Sequence, residues 1–187
     1  MSAVLTARAV ALGALSIAQG FADAGTKEEG GNNRGDQVEA FQRLFGGAPG
    51  DPWCAFFVSF CLVKSFARCA GLAEDREHLP AYVSAAAHVL RMKLGGYCPA
   101  LADSAKDGYL FRSPAFSAEP GDLVLYDFAK QSEPHHVEVV KLRNLSGLVT
   151  IGGNTSSGNV GSQADGGGVY VRHRDLSRVY GFIHWGP

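Results

Sequence analysis

Residues 52–63 read Pro-Trp-Cys-Ala-Phe-Phe-Val-Ser-Phe-Cys-Leu-Val, a run that is apolar nearly all round a helix. A helix without a polar face is buried on most sides, so the rest of the chain has to wrap around it. The 187 residues are enough for one compact domain with a core of that kind. Their composition, 46% apolar and 19% charged, is that of a soluble globular protein. A formal net charge of -1 argues against nucleic acid as a partner, because binding phosphates calls for a basic surface. No repeat or low-complexity tract interrupts the chain, and residues 1–187 read as a single domain.

What surrounds the apolar run changes character halfway. Ala7 to Ala24 is rich in alanine and leucine, and Asp36 to Leu44 places Val38, Phe41 and Leu44 on one face; both read as helices, as does Tyr82 to Lys93. After Pro120 the pattern turns to strands: Asp122 to Phe128, His136 to Leu142, Leu148 to Asn154, Val169 to His173 and Val179 to Trp185. Asn144-Leu145-Ser146-Gly147 suits a hairpin turn between the second and third of these. Helices first and an antiparallel sheet second is an α+β arrangement.

The N-terminus admits two readings. Ala9 to Phe21 is small and apolar, and Ala22-Asp23-Ala24 loosely resembles a signal-peptidase site. Only Arg8 precedes the stretch, however, and Ser16 and Gln19 interrupt it, which favours a first domain helix within residues 1–27 over an export signal. The chain is then expected to be made in the cytoplasm without a cleavable signal. No other segment approaches the roughly twenty apolar residues that cross a bilayer, so no stable membrane insertion is expected.

Chemistry points to the start of the apolar helix. Asp51 suits the N-cap and Pro52 the first helical position, where its missing N–H costs nothing. Cys54 then sits in the first turn, where the helix dipole and free N–H groups favour a thiolate, although a charged Asp51 would oppose it. Taken alone, a single cysteine is more often inert core. Cys61, Cys69 and Cys98 form no C-x-x-C pair with it or each other and read as buried structural thiols, with at most one bridge among them. A nucleophile needs a base, and His136 opens a strand on which His136, Glu138 and Val140 share one face. Asn154 ends the next strand. If the hairpin pairs residues whose numbers sum to 290, Asn154 faces His136 closely enough to orient its imidazole; a slip of one residue would separate them.

These segments, in this order, resemble the CHAP family of cysteine, histidine-dependent amidohydrolases and peptidases, papain-like relatives of the NlpC-type peptidases. The matching stretches are Glu-Gly-Gly-Asn-Asn-Arg-Gly (29–35), Pro-Trp-Cys-Ala-Phe-Phe-Val (52–58), Glu-Pro-Gly-Asp-Leu-Val (119–124), His-Val-Glu-Val-Val (136–140), Gly-Gly-Asn-Thr (152–155) and Gly-Phe-Ile (181–183). The resemblance implies a papain-like fold, with the nucleophile helix packed on a C-terminal antiparallel sheet. It implies Cys54 as nucleophile, His136 as base and Asn154 as the orienting residue. It also implies bacterial peptidoglycan as substrate, cut at the sugar–peptide amide or within the peptide, as phage endolysins do at the cell wall. The chain would then be a monomer without a cofactor or a separate wall-binding module.

Two positions depart from the family pattern. Family members often carry Glu two residues before the Asn, where this chain has Gly152, and a small residue two after the His, where it has Glu138. In the register summing to 290 these two face each other, so the carboxylate is expected to have moved to the neighbouring strand. The loop before Cys54, Gly-Gly-Ala-Pro-Gly-Asp, has one carboxylate, too few for the calcium site of some relatives, and no metal is expected. Trp53 either lines the substrate groove or packs the helix start. Arg172, His173 and Arg174 read as a solvated strand end or, less readily, as a basic edge for an anionic polymer. Two further hypotheses stand beside wall hydrolysis: a papain-like amidase acting on another amide, and a binding module that kept the groove but lost turnover.

Overall fold

The computed structural model describes residues 5–105, 109–113, 116–158, 162 and 165–186. Five helices precede a six-stranded antiparallel sheet, an α+β architecture. The helices are α1 (Ala7–Asp23), α2 (Asp36–Arg43), α3 (Cys54–Cys69), α4 (Leu79–Leu90) and α5 (Cys98–Ser104). The strands are β1 (Leu110–Phe111), β2 (Leu123–Tyr126), β3 (His136–Asn144), β4 (Gly147–Thr155), β5 (Gly168–Arg174) and β6 (Val179–Ile183), in the spatial order β1-β6-β2-β3-β4-β5.

The apolar run is the centre, as its lack of a polar face requires. Every residue of α3 is buried except Lys64, Arg68 and Cys69, and the helix touches α1, α2, α4, β3 and β4. Residues 7–23 form a helix packed along α3 through Val10, Ala11, Ala14, Ile17 and Ala18, opened by Thr6, whose hydroxyl accepts the Ala9 N–H at 3.1 Å. No described helix is long and apolar enough to cross a membrane. The alternation of each strand splits the sheet between two layers. Leu123, Leu125, Val137, Val139, Ile151 and Ile183 join the helical core, while Val124, Tyr126, Val140, Leu148 and Phe182 pack on the opposite face.

Three elements differ from the sequence reading. Helix α4 starts at Leu79 rather than Tyr82, with Pro80 in its first turn, and closes at Arg91 in a left-handed conformation. Helix α5 and the two-residue β1 carry too few residues to show a period, and the sequence reading contains neither. The Pro120-Gly121-Asp122 turn carries a tie across the molecule. The buried Asp122 carboxylate accepts hydrogen bonds from the Glu119 N–H at 2.8 Å and Arg8 Nη1 at 3.0 Å, and it pairs with His184 Nδ1 at 3.0 Å. That motif therefore fastens α1 to the neighbouring strands β2 and β6 and lies outside the cleft.

The hairpin register decides what stands beside His136. Val139 pairs with Ile151 and Val140 with Thr150, both summing to 290, before a bulge shifts the pairing to Leu142 with Val149. A second irregularity lies on the other side of β4. Gly152 pairs with Tyr170 but Thr155 with Gly168, so β4 holds one extra residue there, and Asn154 takes φ +56°.

Candidate active site

Helix α3 begins at Cys54, with Trp53 in the cap position and no side chain capping the end. The expected cap does not form, because Asp51 closes the preceding turn instead: its Oδ2 accepts the Ala48 N–H at 2.8 Å. The consequence for Cys54 is unchanged. The first helical hydrogen bond runs from the Phe57 N–H to the Trp53 carbonyl, which leaves the amides of the first turn free around the thiol. The loop before it is braced from below. Gln42 Nε2 donates to the Asp51 carbonyl at 2.8 Å and to the Asn33 carbonyl at 3.0 Å, and Asn33 Nδ2 donates to the Gly50 carbonyl at 3.2 Å. The 29–35 segment thus holds the nucleophile loop in place.

Cys54 opens onto a cleft of about 570 Å³ whose walls come from residues 45–47, 51, 52, 54, 56, 96–99 and 133–135. Phe56 is wedged between two of these walls. A Cβ on Gly47 or Gly96 would come within 2.4 or 2.0 Å of its ring, so only glycine lets both loops close there. Trp53 does not line the cleft. It is fully buried, stacks on Phe41 at 5.9 Å and donates its indole N–H to Glu28 Oε1 at 2.9 Å, so of its two readings the packing one is correct.

The structure brings Cys54, His136 and Glu138 together. His136 Nε2 meets Glu138 Oε1 at 3.1 Å with both side chains fully buried. Its Nδ1 is buried without a hydrogen-bond partner and is the ring nitrogen left for the thiol. Asn154 is not on the imidazole: it is fully buried, and neither of its amide atoms is hydrogen-bonded. The extra residue in β4 turns Asn154 into left-handed backbone and breaks the facing that a regular ladder would give it. Glu138 stands in the orienting place instead. A Cβ on Gly152 would lie 2.7 Å from both Glu138 Cγ and Oε1, so the carboxylate fills the space that a side chain at 152 would need.

Glu138 is in turn neutralised from β5. Arg174 donates from Nε at 3.1 Å and also from Nη2, Thr150 donates its hydroxyl, and the guanidinium lies 5.7 Å and 5.4 Å from the ring centres of Tyr126 and Phe128. The solvated strand end expected at 172–174 therefore holds for one of its three residues. His173 is exposed, but Arg174 turns inward to Glu138, and Arg172 is buried against the carbonyls of Ser157 and Gly158.

A second thiol stands beside the nucleophile. Cys98 Sγ lies 3.7 Å from Cys54 Sγ, and both are buried at the edge of the cleft. The sequence reading places none of Arg174, Thr150 and Cys98 at the site: it takes Arg174 for a strand end and Cys98 for a structural thiol, and Thr150 is not singled out. The only signal for Cys98 is local: like Cys54 it opens a helix, with Pro99 in the first turn.

Electrostatically the group is an alternating chain. The hydrogen bond from Cys98 lowers the Cys54 thiol well below its ordinary value; burial opposes this, and the positive His136 and the Val137 N–H reinforce it. Burial alone would lower His136, but the Cys54 thiolate and the Glu138 carboxylate raise it from 6.5 to about 9. Burial would raise Glu138, but His136 and Arg174 pull it from 4.5 to about 2. Thiolate, imidazolium, carboxylate and guanidinium then alternate in sign and sum to zero, which is how four charges share a buried site. Among the described residues no cluster of three or more His, Cys, Asp or Glu side chains is placed to hold a metal ion. Comparisons with protein-family models, with curated proteins and with solved structures find no match to this chain.

Proposed function

We propose that the protein is a papain-like cysteine hydrolase that cuts an amide bond of bacterial peptidoglycan at the cell wall. The observation that carries the reading is a thiol at a helix start, opening on a cleft, beside an imidazole whose far nitrogen is held by a buried carboxylate. A thiolate–imidazolium pair of this kind supplies both nucleophile and acid at neutral pH. Cys54 attacks the amide carbonyl, and the N–H groups free at the start of α3 stabilise the developing oxyanion. His136 protonates the leaving amine and then activates the water that hydrolyses the thioester. Glu138 orients the imidazole, and Arg174 keeps that carboxylate charged. The choice of peptidoglycan rests on the resemblance of the six sequence segments.

The test is incubation of the purified protein and its Cys54→Ala variant with cell-wall sacculi, with mass analysis of the soluble products. Release that depends on Cys54 is expected, and the new termini name the bond. Binding without release would mean a wall-binding module. Neither binding nor release would move the same thiol chemistry to a different amide.

A further inference from the structure

The two thiols at the mouth of the cleft have a chemistry of their own. Cys54 and Cys98 begin α3 and α5, 44 residues apart in sequence, with their sulfurs 3.7 Å apart. Bond formation needs a closure of about 1.7 Å to reach the disulfide length, on the scale of side-chain adjustment. Both border the cleft, so a small oxidant reaches them through the route that serves the substrate. The other two cysteines are placed differently: Cys61 is fully buried in α3, and Cys69 is exposed at its far end.

We propose that Cys54 and Cys98 form an oxidisable pair, in which a small hydroperoxide converts the nucleophile to a sulfenic acid and Cys98 resolves it to an intramolecular disulfide. In the first step the Cys54 thiolate attacks the hydroxyl-bearing peroxide oxygen; the O–O bond breaks, the sulfur is oxidised, and the other oxygen leaves as hydroxide from hydrogen peroxide, or as alkoxide from an organic hydroperoxide. In the second, Cys98 sulfur attacks Cys54 sulfur. The S–O bond breaks, the S–S bond forms, and the departing hydroxide takes the Cys98 proton to leave as water. An added dithiol returns two electrons and restores both thiols. The charge distribution fits the two roles, because the same contact that lowers Cys54 raises Cys98, giving one thiolate and one thiol. The disulfide would block the nucleophile reversibly and protect it from irreversible over-oxidation. That consequence for activity rests on the hydrolase reading; the cross-link itself does not.

The test treats the reduced full-length protein with hydrogen peroxide, alkylates the remaining thiols, and maps digested peptides by mass. A linked Cys54–Cys98 peptide pair is expected, lighter by two hydrogens and released by dithiothreitol, with Cys61 and Cys69 alkylated. In Cys98→Ser, Cys54 should proceed to sulfinic and sulfonic acid that dithiothreitol does not reverse. Alkylation of both thiols in the wild type, or over-oxidation of its Cys54 as fast as in Cys98→Ser, would overturn the proposal. The wild-type map decides even if the variant fails to fold. Wall hydrolysis measured alongside separates the two readings. A disulfide without any wall hydrolysis by the reduced protein would sink the peptidoglycan reading alone, and wall hydrolysis without a disulfide would sink this one alone.

Discussion

Replacing Glu138 by Gln removes one charge from the buried chain while leaving its shape nearly intact. In the wild type His136 and Arg174 hold the carboxylate at about 2, against 4.5 when free. At about 1.4 kcal/mol per tenfold, that fall is worth ~3 kcal/mol. Breaking a buried ion pair from one side costs about 3–5 kcal/mol by independent reckoning, because the partner is left uncompensated. Here the partner is Arg174, only 9% exposed. Glu138→Gln should therefore lose roughly 3 kcal/mol of stability at pH 7. The sign of the pH dependence follows from the lowered value: the contribution is complete above 4.5 and is lost as pH falls through about 2. Urea unfolding of both proteins over this range should show two curves far apart at neutral pH that converge in acid. The variant should also lose activity by about 10–100-fold, with its alkaline limb moved to lower pH, because His136 keeps the Cys54 thiolate but loses the second of the two anions that raise it. A variant within about 0.5 kcal/mol of wild type at pH 7, with a parallel acid limb and an unaltered pH–rate profile, would refute the assignment of Glu138 to the site.

Three further outcomes are expected. His136 is raised above its unfolded value of 6.5, so its contribution to stability is complete below 6.5 and lost as pH rises through about 9; melting temperature against pH should show this limb, and His136→Ala should lack it. Trp53→Phe removes a part-buried hydrogen bond to Glu28 and should cost ~1 kcal/mol in denaturant unfolding, while KM stays unchanged because the indole is outside the cleft. Gly152→Glu should destabilise by about 1–3 kcal/mol through its clash with Glu138. Adding Glu138→Gly to it should recover most of that loss, a coupling read from a double-mutant cycle.

What the sequence makes legible here is periodic, and what it hides is pairwise. The apolar run announces a central helix, although it starts at Cys54 and leaves Pro52 outside, and alternation along 136–140 puts His136 and Glu138 on one face; each follows from neighbours a few residues apart. The register summing to 290 is present at Val139–Ile151 and Val140–Thr150, but the turn does not set it: the pairs from Asn144–Gly147 to Leu142–Val149 sum to 291, and a bulge that no sequence period announces makes up the difference. The bulge near Asn154 breaks this logic, since one extra residue in β4 changes no hydrophobic period yet turns a side chain out of the ladder. Arg174 is hidden for a different reason. A charged residue at a strand end is normally solvated, and only the buried carboxylate 36 residues away makes burying it favourable. Cys98 owes its meaning to a contact across 44 residues.

The site is best understood as a set of mutually dependent choices. A carboxylate at 138 excludes a side chain at 152, because the two would occupy the same space. Once the carboxylate sits there, fully buried, Thr150 and Arg174 must supply its remaining hydrogen bonds, since the imidazole meets only one of its oxygens. Arg174 in turn needs the rings of Tyr126 and Phe128 beside it, where solvent would otherwise compete for the guanidinium. Strands β2, β3, β4 and β5 therefore each contribute one part of a single electrostatic balance around His136. This is why a glycine in one strand and an arginine in another carry as much information about the nucleophile as the residues that touch it.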